Sequence, residues 1–134
     1  MIEISIDGAS AGNPGPSGAG IFINYKNGQV DRHSIPLGEM SNHEAEFLAL
    51  IHALDICIEK GITSVSFRTD SKLLDDAIEK QYVKKSLYQP LLEQVLERIK
   101  KFDMFFMKWI PSNQNKNADE LSRQAIRKND NTND

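Results

Sequence analysis

Ile2-Glu3-Ile4-Ser5-Ile6-Asp7, continued by Gly8-Ala9-Ser10-Ala11-Gly12-Asn13-Pro14-Gly15-Pro16, decides how this chain is read. The first six residues alternate apolar and polar, the period of a strand with one buried face. An acid stands where the strand ends, and a glycine-rich turn follows. Glycines let a backbone approach a ligand closely, and prolines fix the rest of the turn. A carboxylate on a rigid strand end beside such a turn could hold a hard metal against a phosphate chain. The same residues are also ordinary turn chemistry. Three further acids at comparable positions bear on the choice.

Working outward, residues 18–25 and 29–36 read as two strands joined by the hairpin signal Asn27-Gly28. Residues 42–60 read as a helix with Phe47, Leu50, Ile51, Leu54 and Ile58 at helical spacing and Gly61 as its terminator. A short strand over 65–69 and a short helix over 71–80 follow. Ser86-Leu87-Tyr88-Gln89 has the capping-box pattern and predicts a helix to about Lys101 that buries Leu91, Leu92, Val95, Leu96 and Ile99. Residues 103–110 read as an apolar strand, which predicts a core position for Trp109. A last helix spans 115–127, giving one domain over 1–127, and 128–134 read as a disordered tail. This order predicts an α/β fold, a mixed sheet with helices on both faces. In such sheets a site lies outside the strand ends, where Asp7 and Asp70 would stand.

Composition narrows the function. The 134 residues are 40% hydrophobic and 26% charged, which suits one globular domain with its own core. No stretch is long enough for a membrane span, and no signal peptide is evident, so the expected location is the cytoplasm. The single Cys57 excludes an internal disulfide and reads as a core residue. The net charge of −3 argues against tight polyanion binding through charge alone, unless bound cations reverse the sign locally. Zinc is not expected, because no Cys/His set has ligand spacing.

Each acid has a structural reading and a chemical one. Asp7 could simply initiate a turn. Glu44 fits a capping box with Ser41, whereas Glu46 shares a helical face with Ala49, Leu50 and Ala53, so it should press toward the sheet. Burying a carboxylate is costly unless a partner such as a metal compensates. Asp70 could cap the helix that follows it, and Asp119 could answer the dipole of the last helix.

The motifs Asp7–Pro16, Ser41-Asn42-His43-Glu44-Ala45-Glu46, Thr69-Asp70-Ser71 and Asn117-Ala118-Asp119-Glu120-Leu121 occur in this order, and together they resemble the type 1 ribonuclease H family over nearly the whole chain. The resemblance implies a five-stranded, ribonuclease H-like sheet. It also implies that Asp7, Glu46, Asp70 and Asp119 are catalytic and hold two ions, Mg²⁺ or Mn²⁺, with Asp119 serving the second. Such ions, about 4 Å apart, activate water and stabilise the leaving oxygen of a phosphodiester. The implied partner is an RNA–DNA hybrid, bound by a monomer. Gly8, Ser10 and Asn13 would lie near the RNA strand, Asn42 and Ser71 near the backbone, and Ser41 near a DNA phosphate. The competing reading of Asn13, Ser41 and Ser71 is turn and cap chemistry.

Two departures from the family stand out. Many members carry a histidine between the last strand and the last helix; here that loop is Pro111-Ser112-Asn113-Gln114-Asn115-Lys116, and His33, His43 and His52 lie elsewhere. Some members insert a basic helix where this chain has only 81–86, which is too short for one. The implied activity is therefore cleavage of the RNA strand of hybrids. The alternatives are a non-catalytic nucleic-acid binding module on the same fold, or a related metal nuclease acting on another nucleic acid.

Overall fold

The computed structural model describes residues 1–131. Five strands, β1 (Ile2–Ser10), β2 (Gly15–Asn24), β3 (Val30–Met40), β4 (Ser64–Thr69) and β5 (Met104–Trp109), form one sheet in the order β3-β2-β1-β4-β5. β1, β2 and β3 are antiparallel neighbours, whereas β4 runs parallel to β1 and β5 parallel to β4. This is the mixed sheet expected from the hairpins at the start and the helical crossovers later. The hairpin closes where Asn27-Gly28 predicts it: the Gln29 amide donates to Asn27 Oδ1 at 2.9 Å, and the Tyr25 amide to the Gln29 carbonyl at 3.2 Å.

Four helices complete the fold: α1 (Asn42–Lys60), α2 (Lys72–Lys80), α3 (Gln89–Ile99) and α4 (Lys116–Asn131). The Ser41–Glu44 capping box forms in full, and α1 ends at Gly61. The alternation of β1 sends Ile4 and Ile6 to one face of the sheet, where they are fully buried with Phe47, Leu50 and Leu54 of α1. Emptying such a position, as in Phe47→Ala, costs about 3–5 kcal/mol. Cys57 is buried in the same core. α4 packs across β1, β2 and β3 on the other face.

Three local expectations are revised. The capping box expected at Ser86 does not form: Ser86–Tyr88 make a single 3₁₀ turn, and α3 starts at Gln89 with Pro90 in its first turn. Proline suits that first turn, where no intrahelical N–H is needed, so the helix begins beside the proline, at Gln89, rather than at the serine. On α3 only Leu92 and Val95 are fully buried, while Leu91, Leu96 and Ile99 pack partly. At the other end, α4 runs on through Asn131, and Asn129 Nδ2 donates to the Ser17 carbonyl at 2.7 Å. Of the expected tail, 132–134 lie outside the described residues.

Candidate active site

Asp7 pairs across the sheet with Gly20 of β2. A Cβ on Gly20 would stand 2.0 Å from the Ala118 carbonyl oxygen and 2.6 Å from the Ser122 nitrogen, so α4 lays its backbone on the sheet right beside Asp7. One residue along β1, a Cβ on Gly8 would stand 2.2 Å from the Ala45 carbonyl and 2.4 Å from the Glu46 nitrogen. Successive strand residues face opposite sides, so α1 is seated at Gly8 and α4 at Gly20 from opposite faces. These two seats carry Glu46 and Asp119 to the end of β1 that holds Asp7. Asp70 arrives by the sheet itself: the pairing of β1 with β4 ends at Ile6 and Thr69, so Asp7 and Asp70 stand side by side just beyond it, although β1 itself does not end at Asp7 as expected but runs on to Ser10, still paired with β2.

Asp7 is only 9% exposed. The Ser122 hydroxyl lies 2.5 Å from its Oδ2 and 2.8 Å from the Asp119 carbonyl. Having one proton, the hydroxyl gives it to the nearer and charged oxygen. Burial nevertheless pushes the Asp7 carboxyl up to about 7; Ser122 opposes that shift, and the charges of Asp70, Asp119 and Glu46 add to it. The four acids thus form one electrostatic group. They remain a loose one: among the described residues, the three acids whose oxygens all lie within 4.8 Å of one another are Asp75, Asp76 and Glu79, on α2.

Glu46 is half-buried, and burial raises its carboxyl above the usual range, with Ser71 and His43 pulling it back and Asp70 pushing it further. Its Oε2 faces His43 Nδ1 at 3.6 Å, too long for a hydrogen bond, and both atoms are buried without any other partner. Asp119 is paired to Arg123 one turn on, at 3.2 Å. Asp70 does not cap α2; Ser71 does, its hydroxyl accepting from the Leu74 amide at 3.1 Å. The Asp70 carboxylate is thereby left to the site, where Asn115 Nδ2 donates to its Oδ2 at 3.3 Å and to the Ile6 carbonyl at 2.9 Å.

Asn115 and Ser122 are the site residues that the sequence reading missed. Asn115 reads as a helix-start residue and Ser122 as one polar residue in a polar helix; their partners lie 109 and 115 positions upstream. The one available signal was spacing, since Ser122 falls one turn after Asp119. Trp109 corrects an expectation. It is 41% exposed rather than core, because β5 is the edge of the sheet, and its indole N–H donates to the Asp70 carbonyl at 3.2 Å.

The substrate-side candidates divide into two groups. Asn13 and Asn42 are exposed and joined, the Asn42 amide donating to Asn13 Oδ1 at 3.2 Å, which ties the glycine-rich turn to the start of α1. The other side chains serve the fold. The Ser10 hydroxyl lies against the Gly12 and Met40 carbonyls, Ser41 and Ser71 are helix caps, Ser71 also bonding Glu46, and Gly8 is the seat of α1. This group keeps backbone groups to offer a ligand.

The donor set suits a hard divalent cation. It consists of carboxylate oxygens; one of them, Glu46 Oε2, is buried without a partner, and another acid, Asp7, is driven toward its protonated form by burial and by its anionic neighbours. A cation would relieve both conditions, and oxygen donors select Mg²⁺ or Mn²⁺ over softer metals.

Comparison with known proteins agrees with this geometry. A family model described as "Reverse transcriptase-like" matches residues 5–125. The chain is 43% identical over 130 residues to a protein of Enterococcus faecalis named "Putative hydrolase EbsB", covering 96% of each. The crystal structure of ribonuclease H1 from Halobacterium salinarum superposes with a TM-score of 0.89 at 26% identity, covering 95% of this chain and 98% of that one. LC11-RNase H1, solved in complex with an RNA/DNA hybrid, superposes with a TM-score of 0.87 at 31% identity, covering 96% and 98%. With the four motifs in order along β1 and its turn, the start of α1, the end of β4 and the start of α4, the chain belongs to the type 1 ribonuclease H family, as a nuclease of ribonuclease H type.

Proposed function

We propose that this protein is an endonuclease that hydrolyses the RNA strand of RNA–DNA hybrids and does so with two divalent ions, Mg²⁺ or Mn²⁺. The observation that carries this reading is the buried Asp7 carboxyl, held up to about 7 by burial and by the charges of Asp70, Asp119 and Glu46. Structural caps have no need of such mutual repulsion. Asp7, Glu46, Asp70 and Asp119 would hold the ions. When bound, the ions supply an activated water and charge stabilisation for the leaving oxygen.

The rest is the work of the chain. Ser122 holds Asp7 in one orientation, Asn115 ties Asp70 to the end of β1, and Arg123 restrains Asp119. Asn13 and Asn42, together with the backbone between the paired ends of β1 and β2, present polar groups that can meet 2′-hydroxyls, which is how a protein tells RNA from DNA. Contacts of this kind carry no base information, so cleavage should be sequence-tolerant. LC11-RNase H1 binds a hybrid on the same fold, which supports the substrate assignment. All four acids come from one chain, which supports a monomer. A nucleic-acid substrate supports a cytoplasmic site of action.

The test is a hybrid labelled on one strand or the other. Products should come from the RNA strand alone, require Mg²⁺ or Mn²⁺, and vanish with Asp70→Asn. An intact hybrid that nonetheless binds would favour the binding module, and cleavage of another nucleic acid instead would favour the related nuclease.

A further inference from the structure

β5 is an outer strand of the sheet, with β4 on one side and no strand on the other. α2 lies beside it, and a groove of about 370 Å³ runs between them. Asp75, Ile78 and Glu79 of α2 form one wall, and β5 from Phe105 through Met107, with Trp109, forms the other. On the opposite face of the same strand, Met104 and Phe106 are 45% and 51% exposed. Edge strands are ordinarily blunted by charges, proline or bulges. β5 has one charged residue, Lys108, and no proline, and its pairing with β4 has no register shift. A free main-chain edge beside a helix-walled groove is the geometry in which an extended peptide adds as one more strand.

Charge selects the occupant. The oxygens of Asp75, Asp76 and Glu79 lie within 4.8 Å of one another, and against these three acids stands one lysine, Lys72, 3.8 Å from Asp76 and 5.8 Å above the centre of the Trp109 ring. The helix wall is therefore anionic, which repels a nucleic acid. It also opposes a second copy of this chain, because two-fold pairing of β5 with β5 would set two acidic walls facing each other. We propose that the β5 edge and α2 form a docking groove for an extended basic segment of a partner protein. In this arrangement Lys or Arg at alternate positions face Asp75 and Glu79, and the apolar residues between them cover Phe106 and Met104. The period of two in a strand makes both demands at once.

The test uses the full-length protein, ¹⁵N-labelled, and a seven-residue peptide alternating Lys and Val. Two control peptides accompany it: one N-methylated at alternate residues, which removes its strand donors, and one with Glu in place of Lys. The expected result is a set of amide shifts confined to 104–109 and 75–79, weakened roughly tenfold by Glu79→Lys or by N-methylation, with no shift from the Glu peptide. Phe106→Ser, an exposed change that leaves the core alone, should weaken binding without altering the melting temperature. The proposal is overturned by absence of binding at millimolar peptide, by equal binding of the Glu or N-methylated peptide, or by shifts centred on Asp7 and Asp70. Concentration-dependent self-association through β5 would overturn it in favour of a second copy.

Discussion

The Ser122 hydroxyl lies 2.5 Å from Asp7 Oδ2, across 115 residues of sequence, and it is the one side-chain hydrogen bond that links the last helix to the buried acid of the first strand among the described residues. It also sets Asp7 against its surroundings, since the hydroxyl favours the charged form whereas burial and three neighbouring acids favour the neutral one.

The first prediction concerns pH and stability. Below about pH 4 the Asp7 carboxyl is protonated in both the folded and the unfolded chain. Between there and about 7 the unfolded chain releases the proton while the folded chain retains it. The folded state then binds more protons, so stability of the metal-free protein should fall as pH rises through this window and level off above it. The loss should be on the order of 2–4 kcal/mol. Asp7→Asn should flatten the fall, making the variant more stable than the parent at pH 8 but not at pH 4. Denaturant melts in EDTA across that range decide it; parallel curves for the two proteins would refute the repulsion account.

Ser122→Ala removes the donor that opposes the upward shift of Asp7. The variant should lose about 1–3 kcal/mol at pH 8, where the bond is to a charged carboxylate. The loss should shrink toward pH 4. If the variant cleaves hybrids, the acid limb of its rate profile should move to higher pH. An unmoved limb would mean that Asp7 does not govern it.

Gly20→Ala and Gly8→Ala should each disturb one layer. The added methyl would meet backbone rather than a flexible side chain, so the helix must lift. Destabilisation of about 1–3 kcal/mol or more is expected for each. Activity should drop further than stability explains, because lifting α4 moves Asp119 and lifting α1 moves Glu46. Activity measured well below the melting temperature separates the two effects; full activity in either variant would show that the seats do not set the geometry of the site.

Asn115→Ala leaves the Ile6 carbonyl without its side-chain donor and frees Asp70. A cost of about 1–3 kcal/mol follows for the unmet group. Weaker Mn²⁺ binding should accompany it, measured by calorimetry. Asn115→Asp would restore size but add another anion, and it should bind metal no better than the alanine variant if Asn115 acts as a donor.

Much of this was legible beforehand, for identifiable reasons. The alternation of Ile2, Ile4 and Ile6, the Asn27-Gly28 turn and the Ser41–Glu44 box are local devices, and each formed where local chemistry demands. Asp70 and Asp119 were legible as acids where an element begins or ends, whereas Asp7, expected to end its strand, stands inside β1, which runs on to Ser10 because β2 continues to pair with it, and Glu46 lies in the second turn of α1. What stayed hidden depends on distant partners. Ser122 and Asn115 show nothing in their own neighbourhoods, and Gly20 looks like one small residue in a strand until α4 is laid over it. The apolar run 103–110 suggested burial, yet burial depends on which layers cover a strand, and α4 packs across β1, β2 and β3 while β5 stands at the edge. The serine at 86 lost to the proline at 90 because a cap specifies only a helix end, whereas proline constrains the backbone outright.

The seating of α4 on small residues couples two of the acids. Ala118, Leu121, Ser122 and Ala125 form its buried stripe, three of them among the smallest side chains, so the grip on the sheet is shallow in apolar area. Lifting this helix would withdraw Asp119 and strip Asp7 of its donor in a single movement, leaving Glu46 and Asp70 in place. The placement of two of the four acids is therefore one property, kept or lost together with the seat of α4 on β2.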